Sequence, residues 1–190
     1  QQAIASVGIS ENAGVADAAT LVAQKGSILV EADAKNLSVS AGAALTATGQ
    51  STLSFAGTVI TNLFSSQGIA RMGDNTNATA YDSIGVVADG DNRIVNGAGT
   101  IGATGANTAG IGASVGTLLV ENTIEATVGR NGALTAYALN TAANAGILTA
   151  NRAERRRGVV VHAFSDEEIY MAAVGGSIAG SGMAVVSGVV

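Results

Sequence analysis

Arg157-Gly158-Val159-Val160-Val161-His162-Ala163-Phe164-Ser165-Asp166-Glu167-Glu168-Ile169-Tyr170-Met171-Ala172-Ala173 is the stretch on which the fold turns. Val159, Val161 and Ala163 alternate, which puts them on one face of a strand. Ser165 to Glu168 reads as a polar turn, and Ile169, Met171 and Ala173 resume the alternation. The same pattern occurs twice earlier. Val30-Glu31-Ala32 leads to Leu37 and Ala41, and Val86-Val87-Ala88 leads to Ile94 and Ala98. The template is V-x-A, five residues (four in the first copy), Ile or Leu, three residues, Ala. Lys25-Gly26 and Arg157-Gly158 precede two of the copies.

The copies lie 56 residues apart (Val30 to Val86) and 75 apart (Val86 to Val161). Ala47-Thr48-Gly49 returns as Ala103-Thr104-Gly105, and Gly57-Thr58-Val59-Ile60 as Gly116-Thr117-Leu118-Leu119. Such spacings are long for a single coil of a repeat protein. They predict modules near 25–83, 84–156 and 157–190, each of about three rungs of roughly 19–25 residues. Turns are expected at Asp33 to Asn36, Gly73-Asp74-Asn75, Asp89 to Asn92, Asn131-Gly132 and Ser165 to Glu168.

Composition favours a thin, repetitive interior. The chain has 190 residues, 47% of them hydrophobic but only 3% aromatic, with 26 Gly and no Trp. Ala, Val, Ile and Leu fill narrow uniform spaces, and Gly serves where walls approach closely. Proline, which would remove a ladder donor from every strand it entered, is absent. Disordered chains combine low hydrophobicity with high charge, whereas this chain is 12% charged. Hairpin turns of the Asn-Gly type occur only at Asn96-Gly97 and Asn131-Gly132, too few for a sandwich. The expected fold is therefore all-β, a right-handed parallel β-helix (a β-solenoid) of roughly eight or nine rungs. At the strand spacing that is near 40 Å in length. It forms a single solenoid segment over 1–190 with no separate second domain. Thr135 to Arg157 is Ala-rich enough to hold a helical piece, although Gly146 interrupts it.

The segment Arg157 to Ile169, with Gly175-Gly176-Ser177-Ile178-Ala179-Gly180-Ser181-Gly182 after it, resembles the repeat unit of bacterial filamentous adhesins. These are the haemagglutinin-like, leukotoxin-type exoproteins that follow two-partner secretion. The likeness is strongest over 157–190, weaker over 25–60 and 84–132, and is one of texture and spacing. It implies a β-helical shaft, export to the cell surface, and attachment to a host or neighbouring cell-surface glycan or protein. It carries over no active-site residue. The first copy departs from it, having Asp33 and Ala34 where the third has Phe164 and Ser165.

Candidate chemistry is sparse. A net charge of −5 argues against nucleic acid. No Cys is present, which removes thiol nucleophiles and Cys-based zinc sites. His162 is the only histidine, opposite the Val161/Ala163 face, and one His makes no multi-His metal site. Asp166, Glu167 and Glu168 are expected to form a solvated acidic corner rather than a glycosidase pair. Asp89-Gly90-Asp91-Asn92 lacks the full calcium-loop pattern. Thr46-Ala47-Thr48 is an isolated Thr-x-Thr. Arg152, Arg155, Arg156 and Arg157 are the candidates for binding a glycan or anion, with cross-rung pairing to the acidic corner as the plainer reading. No catalytic residue, cofactor or metal ligand is expected, and the chain reads as a non-enzyme.

Met171 to Val190 holds no charged residue and has the length of a membrane span. Its Gly and Ser content makes a span unexpected. Neither end shows a polar cap, and Val185 to Val190 would aggregate if bare. Either a longer chain continues the coil, or copies join end to end as a self-assembling filament by strand addition. A polysaccharide-acting β-helix enzyme is the remaining alternative.

Overall fold

The computed structural model describes residues 2–9, 18–49, 53–105, 109–149, 154–179 and 184–186. The described residues form strands and connections, with no helix. In chain order the strands are β1 (Gln2–Val7), β2 (Ala19–Ala23), β3 (Ile28–Thr48), β4 (Leu53–Met72), β5 (Thr76–Ala80) and β6 (Ile84–Thr104). They continue with β7 (Ala109–Val128), β8 (Ala133–Ala136), β9 (Ile147–Thr149), β10 (Glu154–Arg156), β11 (Val159–Ala179) and β12 (Ala184–Val186).

Three sheets hold these strands in the orders β2-β5-β8, β3-β6-β11 and β1-β4-β7-β12, with β9 and β10 as a separate antiparallel pair. Strand β5 pairs in parallel with both β2 and β8, β1 pairs in parallel with β4, and β12 in parallel with β7. From β2 onward the chain visits the three sheets in the same order three times, so strands from successive visits lie side by side. All-β architecture with parallel pairing is thus borne out.

The layer count is corrected. Ser83 N–H donates to Ser27 Oγ 56 residues away, and Gly158 N–H to Ser83 Oγ 75 residues away. These are the two repeat spacings, so the V-x-A copies are direct ladder neighbours and not modules of three rungs. Each sheet holds three or four strands, not eight or nine. One layer consumes 56 residues because it contains two strands of 20 or 21 residues. Strands usually run to about five or six residues.

The predicted turns at Asp33–Asn36, Asp89–Asn92 and Ser165–Glu168 all lie inside these long strands. Asp33-Ala34-Lys35-Asn36 alternates out and in like any strand, with Asn36 on the inner face donating its Nδ2 to Ser66 Oγ at 3.3 Å. Asp33 and Lys35 share the outer face and pair at 3.2 Å, while Ala34 is fully buried. The turns at Gly73–Asn75 and Asn131 are real. Asn75 and Asn131 adopt φ of 55° and 57°. They stack as corners between sheets, with Asn75 N–H donating to Arg130 O at 2.8 Å. Asn131-Gly132 is therefore no hairpin, and Asn96-Gly97 lies within β6.

The loss of the turn at Asp33–Asn36 has a geometric consequence. In an unbroken strand, a shift of one residue moves a side chain to the other face. The second copy puts Ile94 an even number of residues after Val86, so both are buried. The first copy is one residue shorter, so Leu37 falls opposite Val30. Val30 is 5% exposed and Leu37 69%.

The described chain divides into two compact units. Unit 1 comprises Gln1–Asn36, Ser65–Asn92 and Asn122–Glu167. Its core draws on all three sheets: Val30 and Ala32, Ala70 and Met72, Ala78 and Ala80, Ile84, Val86 and Ala88. Fully burying an Ile such as Ile84 contributes about 1.5–3 kcal/mol.

Unit 2 comprises Leu37–Phe64, Arg93–Glu121 and Glu168–Val190. Its inner faces carry small and hydroxylated residues. Thr100 Oγ1 lies 3.1 Å from Ser114 Oγ, which donates to Val174 O at 2.7 Å. A Cβ on Gly112 would lie 2.3 Å from Gly176 O, and one on Gly102 would lie 3.1 Å from Ile111 O. Backbones approach too closely there for a side chain, as composition led us to expect. Ile94 is buried, but most of the larger aliphatics face outward: Leu45, Val59 and Leu63 are each 70% exposed or more.

Candidate functional site

Tyr81-Asp82-Ser83 turns the chain from β5 into β6. The corresponding passage from β8 to β11 is much longer and includes the β9–β10 hairpin. This insertion accounts for the 75-residue spacing. The Ala-rich stretch expected to hold a helical piece is this insertion: Ala142 N–H donates to Asn140 Oδ1 at 3.1 Å, and the chain then enters β9.

The insertion packs on the outer face of β6. Gly85 leaves room for Ile147, whose Cγ2 would meet a Cβ there at 2.7 Å. Ile147 clusters with Val87 and Val160. Beneath it sits Asp82, whose side chain is 3% exposed. Asp82 Oδ2 accepts from Ser27 Oγ at 3.1 Å and from Gly146 N–H at 3.0 Å. Arg157 Nε lies 3.9 Å from Oδ1. One carboxylate therefore ties together the start of β3, the insertion and the start of β11. Gly146 has φ of +94°, and a Cβ there would meet Arg156 O at 2.6 Å, so glycine is required.

The arginines act mainly as fasteners of this insertion. Arg155 donates to Asn144 O at 2.8 Å, and Arg157 donates to Ala138 O at 3.0 Å. Arg156 pairs with Glu154 at 2.9 Å. Arg152 lies outside the described residues. Among the described residues the expected pairing of these arginines with the acidic corner is not formed. Glu168 pairs instead with Arg93 at 3.4 Å, and Glu167 accepts from Asn122 at 2.5 Å. Two open grooves flank the insertion. One is bordered by Arg156, Arg157 and Val159 to His162, the other by Ser27, Leu29, Glu31, Gly146 to Leu148 and Arg155. The first is bordered by two guanidinium groups and no carboxylate, the second by one guanidinium and the Glu31 carboxylate, so the first is the better suited to an anionic ligand.

The remaining candidates do not converge. Asp166 and Glu168 lie on the face of β11 opposite Glu167, because neighbours on a strand point apart. His162 is half-buried and stacks on Phe164, with ring centroids 6.2 Å apart. Asp89-Gly90-Asp91-Asn92 alternates along β6, and Gly90 points at Ile124. Among the described residues no group of three or more His, Cys, Asp or Glu is placed to hold a metal ion. Thr46 and Thr48 share one face of β3 by the same alternation. Of the apolar stretch 171–190, residues 171–179 belong to β11 and 184–186 to β12. Among the described residues no helix is long and apolar enough to cross a membrane.

Sequence reasoning missed Asp82. Its one signal was a lone Asp between an alternating segment and the second repeat copy, indistinguishable from any turn residue until the insertion is placed. No family model, curated protein or solved structure matches the chain.

Proposed function

We propose that the chain is a stretch of right-handed parallel β-helix that serves as the stiff shaft of an extracellular bacterial adhesin or surface fibre. One observation carries this reading: the repeat copies meet as ladder neighbours at 56 and 75 residues. A coil of this kind pairs its backbone between layers, so axial load is spread over many hydrogen bonds at once. Right-handedness follows from the general preference of parallel crossovers. The absence of proline supports ladders with few interruptions. Attachment to a glycan or protein of a host or neighbouring cell falls to the surface, where the arginine-lined groove is available. The reading as a shaft assigns the chain no enzymatic activity.

Localisation tests this directly. Antibody raised against the chain, applied with gold label to intact cells of the source organism, is expected to decorate filaments outside the cell. Label confined to the cytoplasm would overturn the proposal.

A further inference from the structure

Unit 2 carries its polarity the reverse way for a protein surrounded by water. Its stretches 37–64, 94–120 and 169–190 hold no charged residue, and its only charges are Arg93, Glu121 and Glu168. Hydroxyls and amides turn inward. Asn62 Nδ2 donates to Ser40 Oγ, and Thr58 Oγ1 donates to Gly99 O at 3.0 Å. The outer row of β3 in this unit is apolar throughout: Leu37, Val39, Ala41, Ala43, Leu45 and Ala47. An exposed apolar face of this extent marks a surface that meets a partner.

The register sets out the relief of that face. Ile28 N–H donates to Ser83 O and Gly105 N–H to Thr48 O, so β3 and β6 stay in step from end to end. Ile84 N–H donates to Gly158 O, and Arg93 pairs with Glu168, which keeps β6 and β11 in step. Val39, Val95 and Tyr170 therefore form one row across the layers. Ala41, Gly97 and Ala172 form the next, then Ala43, Gly99 and Val174, then Leu45, Ile101 and Gly176. Gly97 and Gly99 are the floor of a trough, since nothing lies within 4 Å of a Cβ built on either. Val39, Leu45, Ile101 and Val174 stand exposed around it. Further layers of a coil would extend this face and would not cover it.

We propose that the outer face of β3, β6 and β11 in unit 2 packs on the same face of a second copy, about a two-fold axis through Gly99. A two-fold normal to the sheet reverses every strand and sets β3 over β11. Ile101 of each β6 then lies over Gly97 of the other copy, and Val95 over Ala103. Leu45 meets Ala172, Val174 meets Ala43, and Tyr170 meets Ala47. Large falls on small at each of these places, and two glycines meet at the axis. Ala41 meets Gly176, and at the margin Val39 meets Ile178, the one contact of two large side chains. Arg93 and Glu168 fall one row outside, so no charge is buried. A partner for this face must be uncharged and must set small side chains against large ones. The chain's own face has that pattern once it is turned by the two-fold. The contact spans roughly 30 by 14 Å, so two copies bury on the order of 900 Å². That is just under the roughly 1,000 Å² of a stable interface, and it sets a weak, concentration-dependent dimer.

Sedimentation velocity over a concentration series tests this on the whole chain. The unmodified chain is expected to pass from monomer to dimer as concentration rises. Leu45→Lys sets an ammonium against Ala172 and should weaken the dimer at least about tenfold. Leu63→Lys, similarly exposed on β4, should leave it unchanged. Gly97→Ile fills the place that receives Ile101 and should weaken the dimer by a similar factor. Gly97→Ile/Ile101→Gly exchanges large and small across the axis and is expected to restore it. Circular dichroism checks that each variant keeps its strand signal, and Val174→Lys replaces any that loses it. The packing is overturned by a chain that stays monomeric at every concentration, by Leu63→Lys acting as strongly as Leu45→Lys, or by an exchanged pair that folds without restoring the dimer. It is equally overturned by a chain that floats with phosphatidylcholine vesicles and never self-associates, which would make this a lipid-facing surface.

Discussion

Gly112→Val is expected to lower the stability of the protein by about 3 kcal/mol, at the upper end of the usual cost of overpacking. The new Cβ would lie 2.3 Å from the Gly176 carbonyl oxygen. That oxygen belongs to backbone, so no rotamer change relieves the clash. The two sheets of unit 2 would have to separate, and Ser114, two residues along β7, would lose its bond to Val174 O. Gly57 provides the contrast: nothing lies within 4 Å of its would-be Cβ. Gly57→Ala should be neutral or stabilise by about 0.4–1 kcal/mol through the unfolded chain. Urea unfolding of both variants measures the difference. Equal midpoints would mean that the sheets of unit 2 do not approach as closely as described.

Asp82→Ala carries the second large effect, a loss of about 3 kcal/mol. Hydrogen bonds to a charged acceptor are worth roughly 1.5–3 kcal/mol each, and Asp82 Oδ2 accepts two. Its removal leaves Gly146 N–H and Ser27 Oγ without their acceptor. Arg157→Ala should cost under about 1 kcal/mol, since that side chain is 43% exposed and 3.9 Å from the carboxylate. Asp82→Asn should fall between, keeping one acceptor and losing the charge. Hydrogen exchange is the telling measurement, because Asp82→Ala should speed exchange through residues 137–149 and 154–158 before the core of unit 1 responds. Arg157→Ala matching or exceeding Asp82→Ala would show that the insertion is held mainly from its exposed side.

Much of this architecture could be read from the chain itself. The alternation in Val159, Val161 and Ala163 is real, and it lines up with Ile84, Val86 and Ala88 in the neighbouring strand. The 56- and 75-residue spacings were visible, but not what they measured. A short polar run such as Asp33-Ala34-Lys35-Asn36 has the composition of a turn and the alternation of a strand. Which it becomes depends on whether a neighbouring layer supplies hydrogen bonds, and that partner lies 56 residues away. With each apparent turn opened into strand, a layer lengthens from roughly 19–25 residues to 56, and the layer count falls in proportion. Leu37 shows the same dependence at one residue: a turn would have let it face inward, and a continuous strand turns it out. The arginines were legible as a cluster but not as fasteners, because their acceptors are carbonyls of an irregular insertion that no periodicity announces.

The most direct measurement is a distance between Leu37 and Arg93. Both side chains lie on the outer face of neighbouring strands, and Arg93 is 58% exposed. Gly105 N–H donates to Thr48 O, which carries the pairing of β3 with β6 in the same step to the far end of both strands. Spin labels on Leu37→Cys and Arg93→Cys should therefore sit about one strand spacing apart, ~5 Å between backbones, with strong dipolar broadening. Copies separated by three short rungs would put those backbones roughly 14 Å apart, and broadening reduced to match that distance would contradict the pairing of the repeats as ladder neighbours.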